Sequence, residues 1–213
     1  MLKLKKDDVK KAMLLYAITD RTWLGNNSLY EQVEDAIKGG ATFIQLREKN
    51  LSYEKFLEEA KKIKEITDKY GVPFVINDNV EIAKEIDADG VHVGQSDTEA
   101  KRAREILGKD KIIGISAGNL KEAIEAEKNG ADYIGIGAMF HTDTKSDATS
   151  VTFEEAKEIT SKVNIPVVAI GGINTENAPS LKGSGIAGCA VSSGIMGSES
   201  PKKAAEIFKK TEY

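Results

Sequence analysis

Ala41-Thr42-Phe43-Ile44-Gln45-Leu46-Arg47-Glu48-Lys49 carries the fold in miniature: a short apolar run that stops at an amide and a set of charges. The run is too short for a buried helix. It is nearly continuously apolar, as a parallel strand covered on both faces must be. Working outward, similar Val/Ile-rich runs recur at residues 14–19, 41–46, 73–77, 90–93, 111–116, 133–137, 166–171 and 186–191. Successive runs are spaced by about one strand–helix unit. Eight such units predict a (β/α)8 TIM barrel, with residues 1–213 as a single domain and its active site at the C-terminal ends of the strands. A doubly wound open sheet is the other arrangement such units allow, but no glycine-rich dinucleotide fingerprint follows the first strand.

Between the runs lie helix patterns with legible ends. Ser28 and Glu31 make a capping box ahead of a stripe of Leu29, Val33, Ala36 and Ile37. Ser52 opens a longer helix with a stripe of Phe56, Leu57, Ala60, Ile63 and Tyr70. Thr152 with Glu155 repeats the capping box, and Ser200-Pro201 puts proline at a first helical position. Gly39-Gly40, Gly71, Gly108 and Gly130 read as C-terminal caps. No low-complexity linker divides the chain.

Composition narrows the classes of function. Of 213 residues, 40% are apolar and 30% charged, and the net charge is −4. That is not the basic field of a nucleic-acid binder, so an anionic ligand needs a local cluster of cations. No apolar run approaches the roughly 18 residues that span a bilayer, which argues against a membrane partner. Met1-Leu2-Lys3-Leu4-Lys5-Lys6-Asp7-Asp8 is too polar for a secretory signal and reads as a solvated lead-in or short helix. Cys189 is the one cysteine; it sits in a small-residue apolar run and reads as a buried inert thiol in a reducing cytoplasm.

Polar residues gather where the apolar runs stop. Gln45, Arg47 and Lys49 alternate, so an extended chain projects all three to one side. Two cations on an inner face are costly unless they meet an anion, either a phosphate or a barrel carboxylate. Glu48 faces the other way and reads as solvated. Asn77-Asp78 and Gly94-Gln95-Ser96-Asp97 follow the third and fourth runs. Two carboxylates without a histidine or cysteine set suit Mg²⁺, although Asp97 and Asp78 could each instead cap the helix that follows. Thr142, Thr144 and Lys145 lie on a small polar loop, 142–150, whose hydroxyls and ammonium suit phosphate or solvent. Gly171-Gly172 and Ser192-Ser193-Gly194 end the seventh and eighth runs, where barrels commonly bind phosphate. His92 and His141 have no partner at metal-ligand spacing and are given no role.

In this order the motifs resemble the thiamin phosphate synthase family. They are Q-L-R-E-K at 45–49, N-D at 77–78, D-G-V-H-V-G-Q-S-D at 89–97, G-I-S at 114–116, T-D-T-K at 142–145, A-I-G-G-I at 169–173 and V-S-S at 191–193. The resemblance implies a cytoplasmic, Mg²⁺-dependent transferase of thiamine biosynthesis. It would join 4-amino-2-methyl-5-hydroxymethylpyrimidine diphosphate to a thiazole phosphate and release pyrophosphate. It implies that Gln45, Arg47, Lys49, Asn77, Ser116 and Lys145 hold the pyrimidine diphosphate, with Arg47, Lys49, Ser116 and Lys145 catalytic. Asp78 and Asp97 would hold the metal, and Thr142, Thr144, Gly172, Ser192 and Ser193 the thiazole phosphate. The partners are small phosphorylated heterocycles, and a homo-oligomer is compatible with the sequence. Two departures stand out: Ser116-Ala117-Gly118-Asn119 lacks a histidine that the family often carries, and Gly137-Ala138 lacks its usual proline. The missing histidine counts against a thiazole tautomerase-like activity, one of two alternatives; the other is a non-catalytic sensor of thiamin phosphate.

Overall fold

All eight apolar runs form strands, and each strand lies within or close to its run, the flanking residues turning into the loops. A computed structural model describes residues 6–25, 28–95, 97–142 and 150–213, apart from the side chains of 6, 7 and 97–99. The strands are β1 Leu15–Ile18, β2 Phe43–Leu46, β3 Phe74–Asn77, β4 Gly90–Val93, β5 Ile112–Ala117, β6 Tyr133–Ile136, β7 Val167–Ile170 and β8 Gly188–Val191. Each pairs in parallel with the next, and β8 returns to β1 through Leu15–Cys189, Tyr16–Ala190 and Ala17–Val191. That last pairing closes the barrel and removes the open-sheet alternative.

The helices, in chain order, are α1 Lys6–Ala12, α2 Leu29–Gly39, α3 Tyr53–Tyr70, α4 Val80–Glu85, α5 Asp97–Leu107, α6 Leu120–Lys128, α7 Phe153–Lys162, α8 Ser193–Met196 and α9 Pro201–Phe208. Between β7 and β8 the described connection is a 3-10 turn, Ala178–Leu181. The caps follow the sequence. Ser28–Glu31 and Thr152–Glu155 form full capping boxes, and Ser200 accepts from the Lys203 amide ahead of Pro201. Along α3 the buried stripe is Phe56, Ala60, Ile63 and Thr67, with Leu57 and Tyr70 on its half-buried margin.

Alternation along the strands sorts the core into two sets. Leu15, Ile44, Ile76, Val91, Ile113, Ile134 and Cys189 face the helices. Tyr16, Phe43, Val75, Ile112, Tyr133, Val168 and Ala190 fill the lumen, which Val9, Ala12 and Met13 of α1 and its C-terminal end close from below. Each fully buried Phe, Leu or Ile contributes about 1.5–3 kcal/mol, so both layers are needed. Gly114 lies in register with Tyr133, and a Cβ there would meet the Tyr133 ring at 2.1 Å. A residue with no side chain therefore makes room for one of the largest in the lumen. Cys189 is buried and free, and burial pushes its thiol up to about 12, which keeps it inert as a nucleophile.

Candidate active site

At the C-terminal ends of the strands the lumen opens into a cavity of about 480 Å³, within the range of about 300–1,000 Å³ usual for small-molecule sites. One wall comes from β2 and β3. The buried Thr19, just past β1, donates its amide to the Gln45 carbonyl (3.0 Å) and accepts the Arg47 amide on Oγ1 (3.0 Å). That clip holds the backbone where strand becomes loop, and Gln45, Arg47 and Lys49 all line the cavity. Lys49 Nζ lies 2.8 Å from Asp78 Oδ2, which also accepts from Asn77 Nδ2 at 2.7 Å. Among the described residues the Arg47 guanidinium meets no carboxylate, so this wall keeps a cation available to an anionic ligand.

Asp78 does not cap the following helix. That place belongs to Asn79, whose side chain accepts from the Ile82 amide. Asp78 instead has a left-handed backbone (φ 63°) and donates its amide to the His92 carbonyl at 2.9 Å. The turn so formed presents its carboxylate at the cavity. Asp97 is the first residue of α5, but its side chain lies outside the described residues.

Glu48 corrects the expectation of a solvated residue. Its side chain is only 4% exposed, and it accepts an ion pair from Arg21 Nε at 2.8 Å; Arg21 also reaches Glu59 at 3.2 Å. Burial, partly offset by Arg21, holds the Glu48 carboxyl above its ordinary range. While Arg47 and Lys49 line the cavity, the residue between them is clamped from behind.

The opposite wall comes from β7 and β8; in a closed ring of eight strands β7 stands across from β3. Gly171 and Gly172 have φ of 96° and 63°, and a Cβ on Gly172 would lie 2.3 Å from the His141 carbonyl. Only glycine fits that turn without strain. Asn177 Nδ2 fixes it from outside by donating to the Gly172 carbonyl at 2.9 Å. Ser192 and Ser193 line the same wall, at the start of α8. The Ser192 hydroxyl is buried and has no partner among the described residues. A buried hydroxyl left unmatched costs about 1–3 kcal/mol. Thr142 also lines the cavity, whereas Thr144 and Lys145 lie outside the described residues.

The cavity floor is polar in a way the sequence pattern did not reveal. Gln45 Nε2 donates to the Tyr16 hydroxyl, which lies 2.8 Å from the Tyr133 hydroxyl. Tyr133 Oη is 2.9 Å from His92 Nδ1, and His92 Nε2 is 3.0 Å from Ser116 Oγ. Burial raises the pKa of both tyrosines, so both stay phenols. The signal was present in the strand phase: Tyr16, Gln45, His92, Ser116 and Tyr133 all occupy lumen positions. His92 is therefore part of the site's floor, and Ser116 is its cavity-facing end.

A closed eight-stranded barrel with a polar-floored cavity at its C-terminal mouth places the chain among the (β/α)8-barrel enzymes. More narrowly, it belongs to the thiamine monophosphate synthase family, whose model matches residues 15–195. It is 52% identical over 194 residues to the thiamine-phosphate synthase of Clostridium acetobutylicum, covering 91% of this chain and 92% of that one. It is 57% identical over 183 residues to the synthase of Clostridium novyi, covering 85% and 90%. The solved thiamine phosphate pyrophosphorylase from Pyrococcus furiosus superposes with a TM-score of 0.88 at 41% identity, covering 95% of this chain and 96% of that one.

Proposed function

We propose that the chain, acting as one barrel domain over residues 1–213, joins 4-amino-2-methyl-5-hydroxymethylpyrimidine diphosphate to a thiazole phosphate at this mouth. In that reaction the methylene carbon–oxygen bond breaks and its electron pair leaves on pyrophosphate. The electron-rich aminopyrimidine stabilises the cation, and the thiazole nitrogen lone pair closes the new bond. No protein nucleophile is required. The protein must neutralise the leaving charge and align two rings.

The observation that carries this reading is one cavity with two unlike anion-facing walls. Arg47 and Lys49 on the β2–β3 wall would take the diphosphate, with Asn77, Gln45 and Ser116 beside and beneath it. Gly172, Ser192, Ser193 and Thr142 on the far wall would take the thiazole phosphate. On sequence grounds Lys145 joins the first group and Thr144 the second.

A divalent ion fits the donor chemistry of the first wall. Asp78 is about half exposed; Oδ2 accepts from Lys49 and Asn77, while Oδ1 takes no hydrogen bond from a described residue, so a hard carboxylate oxygen faces the cavity. Magnesium commonly needs only one or two carboxylates and completes its shell with water and substrate phosphate. Asp78 and Asp97 would hold Mg²⁺, which when bound would supply positive charge to the diphosphate. Phosphorylated substrates and a lone buried thiol go with a cytoplasmic setting. The test is pyrophosphate release by purified protein given both heterocyclic phosphates, with and without Mg²⁺. Release that needs both substrates and the metal supports the reading. Binding of thiamin phosphate without any release would favour the sensor alternative.

A further inference from the structure

The chain of hydrogen bonds through the lumen has a direction, and one amide sets it. Gln45 turns Nε2 toward Tyr16, so the Tyr16 oxygen accepts and must spend its own proton on its other neighbour, Tyr133. Tyr133 then accepts from Tyr16 and has His92 Nδ1, at 2.9 Å, left to donate to. With Nδ1 accepting, the proton of the neutral imidazole sits on Nε2, facing Ser116 Oγ at 3.0 Å. The reverse order would leave the Tyr16 proton between two donors in a fully buried site. An unmatched buried donor of that kind is what folded proteins avoid.

We propose that His92 is a positioning residue for Ser116: as its Nε2–H tautomer it donates to the serine oxygen and turns the serine proton into the cavity, as a hydrogen-bond donor to the pyrimidine diphosphate. The direction of the chain rests on the Gln45 amide facing Tyr16 with its nitrogen, whereas the identity of the acceptor rests on the synthase reading. His92 acts through Ser116, and Tyr133 acts through His92. The buried phenols make the arrangement rigid, so Ser116 presents a donor before substrate arrives.

Two measurements test it. The chain has two histidines, so long-range ¹H–¹⁵N correlation on labelled protein, with His92→Gln for assignment, reads the His92 tautomer directly. The expected pattern is a protonated Nε2 and a pyridine-like Nδ1. Tyr133→Phe, which keeps the ring and removes the hydroxyl, should let the Nδ1–H form appear. A wild-type protein with the proton on Nδ1, or on both nitrogens, overturns the proposal. In single-turnover kinetics His92→Leu should lower the rate about 10-fold or more, with the KM for thiazole phosphate changed less than about 2-fold.

Adding Ser116→Ala to His92→Leu should then cost little further, because the two act as one unit. His92→Gln, whose amide can donate from the place of Nε2, should recover part of the loss. Full additivity in the double variant overturns the coupling. Should His92→Leu fail to fold, the Tyr133→Phe rate and the wild-type tautomer still separate the two outcomes. A wild-type protein inactive on both heterocycles would sink the synthase reading instead, while the tautomer measurement still fixes the direction of the chain.

Discussion

Lys49 Nζ and Asp78 Oδ2 stand 2.8 Å apart, tying the loop after β2 to the turn after β3, with side chains 51% and 54% exposed. Half-exposed pairs contribute about 0–1 kcal/mol, because water screens them and their side chains lose freedom to form them. The lysine and the acid can therefore separate at little cost when a diphosphate and a cation arrive to take their places. The contact is a resting state for two groups whose proposed work is with substrate.

Asp78→Asn tests that division. Its unfolding free energy should fall by less than about 1 kcal/mol, since the pair it breaks is exposed. Mg²⁺-dependent pyrophosphate release should fall about 100-fold or more, the usual scale for losing a preorganised charge group. Thermal or urea unfolding beside the release assay gives both numbers. Turnover near wild type would remove Asp78 from the metal-holding role.

Glu48 should behave in the opposite way. Glu48→Ala removes a buried partner and leaves Arg21 facing Glu59 alone, so stability should drop by about 1–2 kcal/mol. The loop bearing Arg47 and Lys49 loses its clamp, so the KM for the pyrimidine diphosphate should rise more than kcat falls. The pH sign follows from burial, which raises the carboxyl pKa above its unfolded value. The folded state therefore holds the proton more tightly. The part of Glu48's contribution to stability that depends on protonation is fully present below the unfolded pKa and is lost as pH rises through the folded one. Urea titrations across the acid range, wild type against Glu48→Gln, should show the wild type losing its relative advantage as pH increases. A difference independent of pH would contradict the burial argument.

Gly172→Ala places a Cβ 2.3 Å from a backbone carbonyl at a φ of 63°. Backbone cannot yield as a flexible side chain would, so the turn must move or strain by about 1–3 kcal/mol. The expected result is a rise of about 10-fold in the Kd for thiazole phosphate, with binding of the pyrimidine diphosphate little changed. Calorimetry on each ligand separately distinguishes a local wall defect from general loss of the site.

The barrel was legible because its signal is local. Runs such as 41–46 show a buried parallel strand by themselves, and capping residues such as Ser28 and Thr152 announce the helices between them. The cavity walls were legible because the chemistry of Arg47, Asp78 and Gly172 stands immediately after a strand. The lumen chain was not, since it joins residues of five strands through register, and no window containing Tyr16 shows that Tyr133 lies 2.8 Å from it. Glu48 was misread for a related reason. Alternation showed that it faces away from Arg47, but away from the cavity meant toward Arg21 rather than toward water.

Ser192 gives the sharpest test, because its two expected effects have opposite signs. Its hydroxyl is buried and has no partner among the described residues, so without ligand it carries a cost of about 1–3 kcal/mol. Ser192→Ala removes the hydroxyl and that cost together, so the free protein should be as stable as wild type or more so. If the hydroxyl waits for a phosphate oxygen, the same change should weaken thiazole phosphate by about 10-fold or more, the worth of one hydrogen bond to a charged group. Thermal shift should then cross over: the variant melts no lower than wild type alone and gains less when the phosphate is added. A variant less stable alone and unaltered in binding would mean that the hydroxyl serves the fold and that the phosphate lies elsewhere.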